Sequence, residues 1–174
     1  MGDFKTLTDM VRMAQDNLDK GDWDYLVGAA DTEASLRRNR AAVDSWAFLP
    51  RILQDVSNVK ISAHMLGETL RIPVVLPPIG SIQAFTKDGG TAVAQAAGEF
   101  GVLQILSSSC MPDFQMVAQT VPGPRIYQLY LTGDRAWLDD QIERTIDSGY
   151  VGLCLTADTQ VYSRRERDIM KGYV

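Results

Sequence analysis

Residues 103–109, LQILSSS, place a short apolar run directly before three hydroxyl-bearing side chains. Apolar runs of similar length recur on both sides of this stretch, and such runs are typical of buried strands. The four runs are Val74-Val75-Leu76, Leu103-Gln104-Ile105-Leu106, Ile126-Tyr127-Gln128-Leu129-Tyr130 and Gly152-Leu153-Cys154-Leu155. The sequence therefore predicts four strands in this part of the chain.

Segments with helical periodicity separate these runs. Residues 91–100 are rich in alanine, and residues 113–121 and 137–146 carry apolar side chains at helical spacing. A strand, a helix and the next strand in repeated succession predict parallel strands and an α/β fold. A closed parallel barrel has eight strands and typically about 250 residues. The pattern thus predicts part of such a barrel, with an open four-stranded doubly wound sheet as the alternative.

Upstream of the first strand the sequence predicts helices. Residues 4–20 fit one amphipathic helix, a break follows at Gly21-Asp22, and Ala34 to Asp44 fit a second helix. We therefore predict that residues 1–70 form a helical N-terminal segment and residues 71–174 form four βα units. Residues 1–174 would together be the N-terminal part of a single barrel domain.

Composition limits the classes of function. With 174 residues, 45% of them apolar, the chain is long enough for a globular domain. The net charge of −5 and the lack of a basic cluster argue against binding of nucleic acid. The acidic first twenty residues and the absence of long apolar runs predict a soluble, cytoplasmic protein without a membrane segment. Cys110 and Cys154 fit neither a disulfide framework nor a metal site, so we expect small buried side chains and no metal.

Small or polar residues occupy or follow the predicted strand ends. In parallel α/β folds ligands bind at the carboxyl ends of strands, so these residues predict one common site. They are Pro78, Ile79, Gly80, Ser81, Ser107, Ser108, Ser109, Gln128, Tyr130, Thr156, Ala157, Asp158 and Thr159. Structural alternatives remain: Ser108 and Ser109 could cap the next helix, the Gln128 amide could be satisfied by backbone, and Ser107 or Thr156 could satisfy a turn.

Several motifs, in order, resemble the FMN-dependent α-hydroxy-acid dehydrogenases, the family of glycolate oxidase, lactate oxidase and mandelate dehydrogenase. The resemblance covers residues 20 to 174 and implies a partial TIM (β/α)8 barrel, the N-terminal half, with FMN as cofactor. The matching stretches are Tyr25-Leu26-Val27-Gly28-Ala29, Leu36-Arg37-Arg38-Asn39-Arg40-Ala41, Leu49-Pro50-Arg51-Ile52-Leu53-Gln54-Asp55-Val56-Ser57, Leu66-Gly67, Ile72-Pro73-Val74, Ser107-Ser108, Gln128-Leu129-Tyr130, Leu155-Thr156-Ala157-Asp158-Thr159 and Arg164-Arg165-Glu166-Arg167-Asp168-Ile169.

The resemblance also implies roles for individual residues. The backbone of Pro78, Ile79 and Gly80 would approach the flavin ring, although the extra proline at Pro77 departs from the family pattern. Three neutral side chains would hydrogen-bond the polar edge of the isoalloxazine and tune its electron affinity: Ser107, Gln128 and Thr156.

The substrate would be a small 2-hydroxy acid, and the resemblance assigns four residues to it. Tyr25 and Arg165 would bind the carboxylate, because guanidinium offers two parallel hydrogen bonds and a phenol donates without adding charge. Tyr130 would meet the substrate hydroxyl, and Asp158 would pair with the catalytic histidine and raise its basicity. Alternatively, Tyr25 is an ordinary amphipathic aromatic and Arg165 lies on a solvated helix face.

The family's catalytic histidine, the arginine after it, its flavin-contacting lysine and its phosphate-binding loops belong to later strands. The single histidine, His64, lies outside these motifs, and we expect it to be structural. We therefore expect an inactive fragment of a homo-oligomeric enzyme that oxidises an L-2-hydroxy acid to a 2-oxo acid. The alternatives are a catalytically dead half-barrel that acts as a binding or assembly partner, and another flavin or phosphate barrel oxidoreductase.

Overall fold

The computed structural model describes residues 4–159 and 161–172 of the chain. They divide into two compact units. We call Met1–Gln54 with Val161–Val174 the helical unit and Asp55–Gln160 the sheet unit. The helices are α1 (Leu7–Asn17), α2 (Lys20–Val27), α3 (Ala34–Asp44), α4 (Gly89–Phe100), α5 (Phe114–Thr120), α6 (Arg135–Asp147) and α7 (Glu166–Lys171), and the strands are β1 (Ala63–Met65), β2 (Glu68–Leu70), β3 (Val75–Leu76), β4 (Leu103–Ser107), β5 (Arg125–Leu129) and β6 (Gly152–Leu155).

The helical unit contains α1, α2, α3 and α7, and α2 contacts α7 although the two are distant in sequence. Helix α3 has the predicted bounds. The prediction of one helix over residues 4–20 with a break at Gly21-Asp22 is wrong, because α1 ends at Asn17 and α2 runs through Gly21. The physical reason is Asp19, whose carboxylate accepts from Asp22 N at 2.8 Å and caps α2.

The sheet unit has a four-stranded parallel sheet in the order β3-β4-β5-β6. This confirms the predicted α/β class, and the four strands and three intervening helices lie within two residues of their predicted bounds. On the helix side of the sheet, Leu106 and Leu129 pack with Ala94, Phe114 and Val117 in the main hydrophobic cluster. The buried core therefore fixes the strand order and brings the carboxyl ends of β3 to β6 to one edge.

A short antiparallel hairpin of β1 and β2 precedes the parallel sheet and was not predicted. Its turn is Leu66-Gly67, and both residues have positive φ, as the type I′ turn of a two-residue hairpin requires. His64 lies on β1, where its Nδ1 is 3.1 Å from Oγ1 of Thr69 on the paired strand. This position agrees with the expected structural role of His64.

Candidate functional site

Three predicted cofactor residues of the sheet unit lie on neighbouring strands at the carboxyl edge. Ser107 ends β4 and pairs in register with Gln128 of β5, which in turn pairs with Cys154 of β6. Thr156 is two residues beyond Cys154 and follows the end of β6. Because alternate residues of a strand share a face, the extended chain carries Thr156 to the face that holds Gln128.

The Gln128 side chain links two of these strands and keeps one polar atom without a partner. Its Nε2 donates to Oγ1 of Thr156 at 2.6 Å. Gln128 is only 3% exposed, and its Oε1 is buried with no hydrogen-bond partner among the described residues. The alternative in which backbone satisfies this amide is therefore wrong. A buried polar atom without a partner costs about 1–3 kcal/mol, which a ligand N–H would offset.

Ser107 is buried and belongs to a tight loop after β4. Its Oγ accepts a hydrogen bond from Ser109 N at 3.2 Å, so Ser107 satisfies a donor of the turn, as the structural alternative predicted. The hydrogen of its hydroxyl can still be donated to a ligand. Ser108 and Ser109 do not cap the following helix, because Asp113 caps α5 by accepting from Met116 N at 2.8 Å. The helix-capping alternative is therefore wrong.

The loop after β3 is held against the loop after β4. Ser81 N donates to Ser109 O at 3.1 Å, and the Cys110 thiol donates to Ile79 O at 2.9 Å. A Cβ at Gly80 would lie 3.3 Å from Ser109 Cβ and 3.8 Å from the Ser107 hydroxyl. Gly80 thus leaves bare backbone beside Ser107, as the predicted approach of Pro78-Ile79-Gly80 to a flat ring requires.

Tyr130 and Asp158 follow β5 and β6 at the same edge. Tyr130 is half-buried, and its backbone N donates to Ser108 Oγ at 3.4 Å. Asp158 is exposed, two residues beyond Thr156, and within residues 4–159 and 161–172 no hydrogen bond or ion pair holds its carboxylate. The structure therefore brings both residues to the strand ends but joins neither side chain to the Gln128–Thr156 pair.

In the helical unit, the two predicted substrate residues form a close pair. Arg165 lies with its Cζ 4.5 Å from the centre of the Tyr25 ring, a cation–π contact. Its Nη2 donates to Gly28 O at 2.9 Å and to Tyr25 O. The side chain of Arg165 is one-quarter exposed, so the alternative of a solvated helix face is wrong for this residue.

The structure gives a physical reason for Gly28, the glycine three residues after Tyr25 in the matching stretch Tyr25-Leu26-Val27-Gly28-Ala29. A Cβ at this position would lie 2.6 Å from the carbonyl oxygen of Asp24 and 3.4 Å from Nη2 of Arg165. No side chain fits there without displacing backbone, so glycine lets the end of α2 approach the guanidinium closely.

A network of ion pairs that the sequence did not predict surrounds this pair. Arg167 binds Glu33 through two of its three guanidinium nitrogens, with Nε 2.6 Å from Oε1 and Nη2 2.7 Å from Oε2. Lys171 pairs with Asp24. The hydrogen bond from Arg167 is the main reason that the pKa of Glu33 lies below its ordinary value. Spacing along the chain reveals ion pairs within one helix, but not pairs such as these between residues more than 130 positions apart.

A cleft of about 540 Å³ borders Arg165 within the helical unit. Its lining residues are Tyr25, Tyr162, Ser163, Arg164, Arg165, Asp168 and Ile169. Sequence reasoning missed Tyr162, Asp168 and Ile169, because nothing in their spacing marks them as neighbours of Tyr25. The cleft combines a guanidinium with aromatic and aliphatic surface, a chemistry suited to a small organic acid.

Comparisons with known proteins agree on one family. A family model described as FMN-dependent dehydrogenase matches residues 14–174. Glycolate oxidase 1 of Oryza sativa subsp. indica is 34% identical over 174 residues, which are 100% of this chain and 47% of that protein. The peroxisomal (S)-2-hydroxy-acid oxidase of the same subspecies is 35% identical over 157 residues, 90% of this chain and 43% of that protein.

Solved structures of TIM-barrel flavoenzymes match the fold and confirm the partial barrel. A mandelate oxidase structure has a TM-score of 0.93 at 30% identity and covers 98% of this chain and 51% of its own. A soluble mutant of the membrane-associated (S)-mandelate dehydrogenase from Pseudomonas putida has a TM-score of 0.92 at 30% identity, with 99% and 49% coverage. The chain thus spans about half the length of the relatives it matches. Among its described helices, none is long and apolar enough to cross a bilayer.

Proposed function

The chain belongs to the FMN-dependent dehydrogenase family, and we propose that it supplies flavin-binding and acid-binding groups for the oxidation of an L-2-hydroxy acid to a 2-oxo acid. The observation that carries this proposal is the buried amide of Gln128, which bonds Thr156 and keeps its Oε1 without a partner at the carboxyl edge of a parallel sheet. That is the edge where ligands of such folds bind.

The residues at this edge fit the isoalloxazine of FMN. An imide ring edge alternates N–H and C=O groups, and the three neutral side chains of Ser107, Gln128 and Thr156 offer both donors and acceptors without a charge. Gly80 leaves backbone uncovered beside Ser107, where a flat ring could approach. Bound FMN supplies an acceptor for two electrons, and the protein's part is to bind and orient the ring.

The helical unit would bind the substrate carboxylate. Among the described residues, Nη2 of Arg165 donates to backbone oxygens and Nε lies beside the Asp168 carboxylate, whereas no contact engages Nη1. We therefore assign Nη1 to the substrate carboxylate. The Tyr25 phenol would donate a second hydrogen bond. A buried guanidinium–carboxylate pair is stronger than an exposed one because water competes less.

Tyr130 would orient the substrate hydroxyl, and Asp158 would stabilise the imidazolium that forms when a histidine removes the α-proton. We do not assign that base to His64, whose ring is engaged by Thr69 across the β1–β2 hairpin. We therefore propose that residues 1–174 alone bind the flavin and the substrate acid but do not catalyse the oxidation. We also propose that residues 1–70 and 71–174 belong to one barrel domain.

The test of the reaction is to purify the full-length protein that the gene encodes, and not residues 1–174 alone, to identify its bound flavin and to follow its visible absorbance without oxygen. We expect FMN, bleached by an L-2-hydroxy acid with formation of the 2-oxo acid, and no bleaching by the D-enantiomer. Bleaching by NADPH, with hydroxy acids inert, would instead favour the other flavin or phosphate barrel oxidoreductase.

An assembly role is the second candidate, favoured by exposed apolar surface. Phe48 and Leu53 of the helical unit are 101% and 97% exposed, and Leu155 on the edge strand β6 is 49% exposed. Unpaired edges and exposed apolar side chains invite association. Light scattering of the purified chain tests both this role and the proposed homo-oligomer: a defined multimer supports association, and a stable monomer contradicts it.

A cytoplasmic location is also proposed. It rests on the composition of these 174 residues, of which 22% are charged and 45% apolar. Relatives are described as peroxisomal or membrane-associated, so location differs within the family. Fractionation of cells that express the protein, with immunodetection in the cytosolic fraction, tests the proposal.

A further inference from the structure

Asp168 is a buried carboxylate beside the proposed acid-binding arginine. It lies on α7, three residues after Arg165, and is only 7% exposed. Its Oδ2 is 3.0 Å from Nε of Arg165, whereas its Oδ1 is buried without a hydrogen-bond partner among the described residues. Burying a carboxylate is unfavourable unless its charge is compensated, so a specific reason for its position is expected.

The contact between Asp168 and Arg165 is electrostatic in character. Although Nε and Oδ2 are 3.0 Å apart, the N–H of Nε is not directed at that oxygen with hydrogen-bonding geometry. The guanidinium is held by other groups as well, since Nη2 donates to Gly28 O and the Tyr25 ring covers its face. Three sides of the group are thus fixed, which leaves Nη1 as the nitrogen that these contacts do not engage.

A negative charge at this distance has two opposite effects on the binding of an acid. It lowers the positive potential of Arg165, which weakens attraction for an anion. It also confines a long, flexible side chain to one orientation, which strengthens binding by preorganisation. The two effects predict opposite changes when the charge is removed, so one substitution distinguishes them.

We propose that Asp168 is a positioning residue for the 2-hydroxy-acid reaction, holding the Arg165 guanidinium so that Nη1 is presented to the substrate carboxylate. This inference rests on the proposed function of Arg165. Asp168 itself does not touch the substrate, and its effect appears in substrate binding and not in the chemical step.

The experiment compares Asp168→Asn, Glu166→Gln and Arg165→Met in the protein as its gene encodes it. Glu166 is the matched control, because it is an acidic residue in the first turn of the same helix and is exposed. We expect Asp168→Asn to raise KM for the L-2-hydroxy acid about tenfold with kcat within about twofold, and Glu166→Gln to change neither. Inhibition by the 2-oxo acid product should weaken by the same factor in Asp168→Asn.

A lowered or unchanged KM in Asp168→Asn overturns the inference, because it would show that the carboxylate only attenuates the attraction for anions or does nothing. If Asp168→Asn fails to fold, Asp168→Glu is the deciding variant. Its added methylene displaces the carboxylate from Arg165, so we expect KM for the L-2-hydroxy acid to rise at least threefold. An unchanged KM in Asp168→Glu would overturn the inference. Arg165→Met separates the two proposals. An unchanged KM in Arg165→Met refutes the proposed function of Arg165, whereas a raised KM there with normal Asp168→Asn refutes only the role of Asp168.

Discussion

Arg165 stacks on Tyr25, with its Cζ 4.5 Å from the ring centre, although 140 positions separate the two residues in sequence. The same guanidinium donates to the backbone oxygens of Tyr25 and Gly28 at the end of α2. A cation is favourable at the carboxyl end of a helix, where carbonyl groups lack partners. The start of α7 and the end of α2 therefore form one preorganised structure.

Replacement of Arg165 by lysine in the full-length protein that the gene encodes should weaken substrate binding. Lysine keeps the charge but lacks the planar fork that bonds backbone oxygens and a carboxylate at the same time. We expect KM for the L-2-hydroxy acid to rise about 10- to 100-fold, or about 1.4 to 2.8 kcal/mol. Arg135→Lys on α6 is the control, since among residues 4–159 and 161–172 Arg135 forms only an exposed ion pair with Asp139. Steady-state kinetics measure both KM values, and equal values for the two variants would contradict the assignment of Arg165 to the substrate carboxylate.

Two glycines of α4 should respond differently to substitution by alanine. A Cβ at Gly90 would lie 2.6 Å from Cδ1 of Leu106, a fully buried side chain of the core, whereas at Gly98 the nearest atom is 3.8 Å away. Overpacking costs about 1–3 kcal/mol, and alanine in an open helical position stabilises by about 0.5–1 kcal/mol. Urea unfolding should show Gly90→Ala destabilised and Gly98→Ala unchanged or stabilised. Equal losses in both variants would contradict the packing of α4 on β4.

The stabilising effect of Glu33 should depend on pH. Its pKa is lowered in the folded state, chiefly by the hydrogen bond from Arg167. A lowered pKa means that the folded state binds the proton less tightly than the unfolded state, so the contribution is complete above the unfolded pKa of about 4.3 and disappears as pH falls through the folded value. The difference in unfolding free energy between wild type and Glu33→Gln should therefore be constant near neutral pH and shrink in acid. A difference that grows in acid would have the wrong sign.

Much of the sheet unit was predictable because its signals are local. The apolar runs of β4 to β6 and the helices between them follow from periodicity, and parallel strands follow from their alternation. The β1–β2 hairpin escaped prediction because its strands have three residues each and its turn requires positive φ at Leu66, an uncommon conformation for leucine. Similarly, α2 begins at Lys20, before the break predicted at Gly21, because the stabilisation from the Asp19 cap exceeds the cost of one glycine in the first turn.

The candidate site was predictable only in part. Residue types at the strand ends marked Ser107, Gln128 and Thr156, and the structure brings these together. Asp168 gave no such signal, because its importance lies in its distance from Arg165 and in its burial. The ion pairs of Arg167 and Lys171 with α2 and its neighbouring loop are also tertiary contacts that sequence spacing does not encode.

The titration of FMN into wild type and Gln128→Met tests the flavin site most directly. Methionine preserves the volume of the side chain but removes the amide that bonds Thr156 and carries the buried Oε1. Gln95→Met on α4 is the control, because the Gln95 side chain is exposed and, in the described part of the chain, hydrogen-bonds only Glu99. We predict that the dissociation constant of FMN rises about tenfold or more, or about 1.4 kcal/mol, in Gln128→Met and stays unchanged in Gln95→Met. The flavin-free Gln128→Met protein should be as stable as wild type. An unchanged FMN affinity in Gln128→Met would contradict the assignment of the strand ends to the flavin.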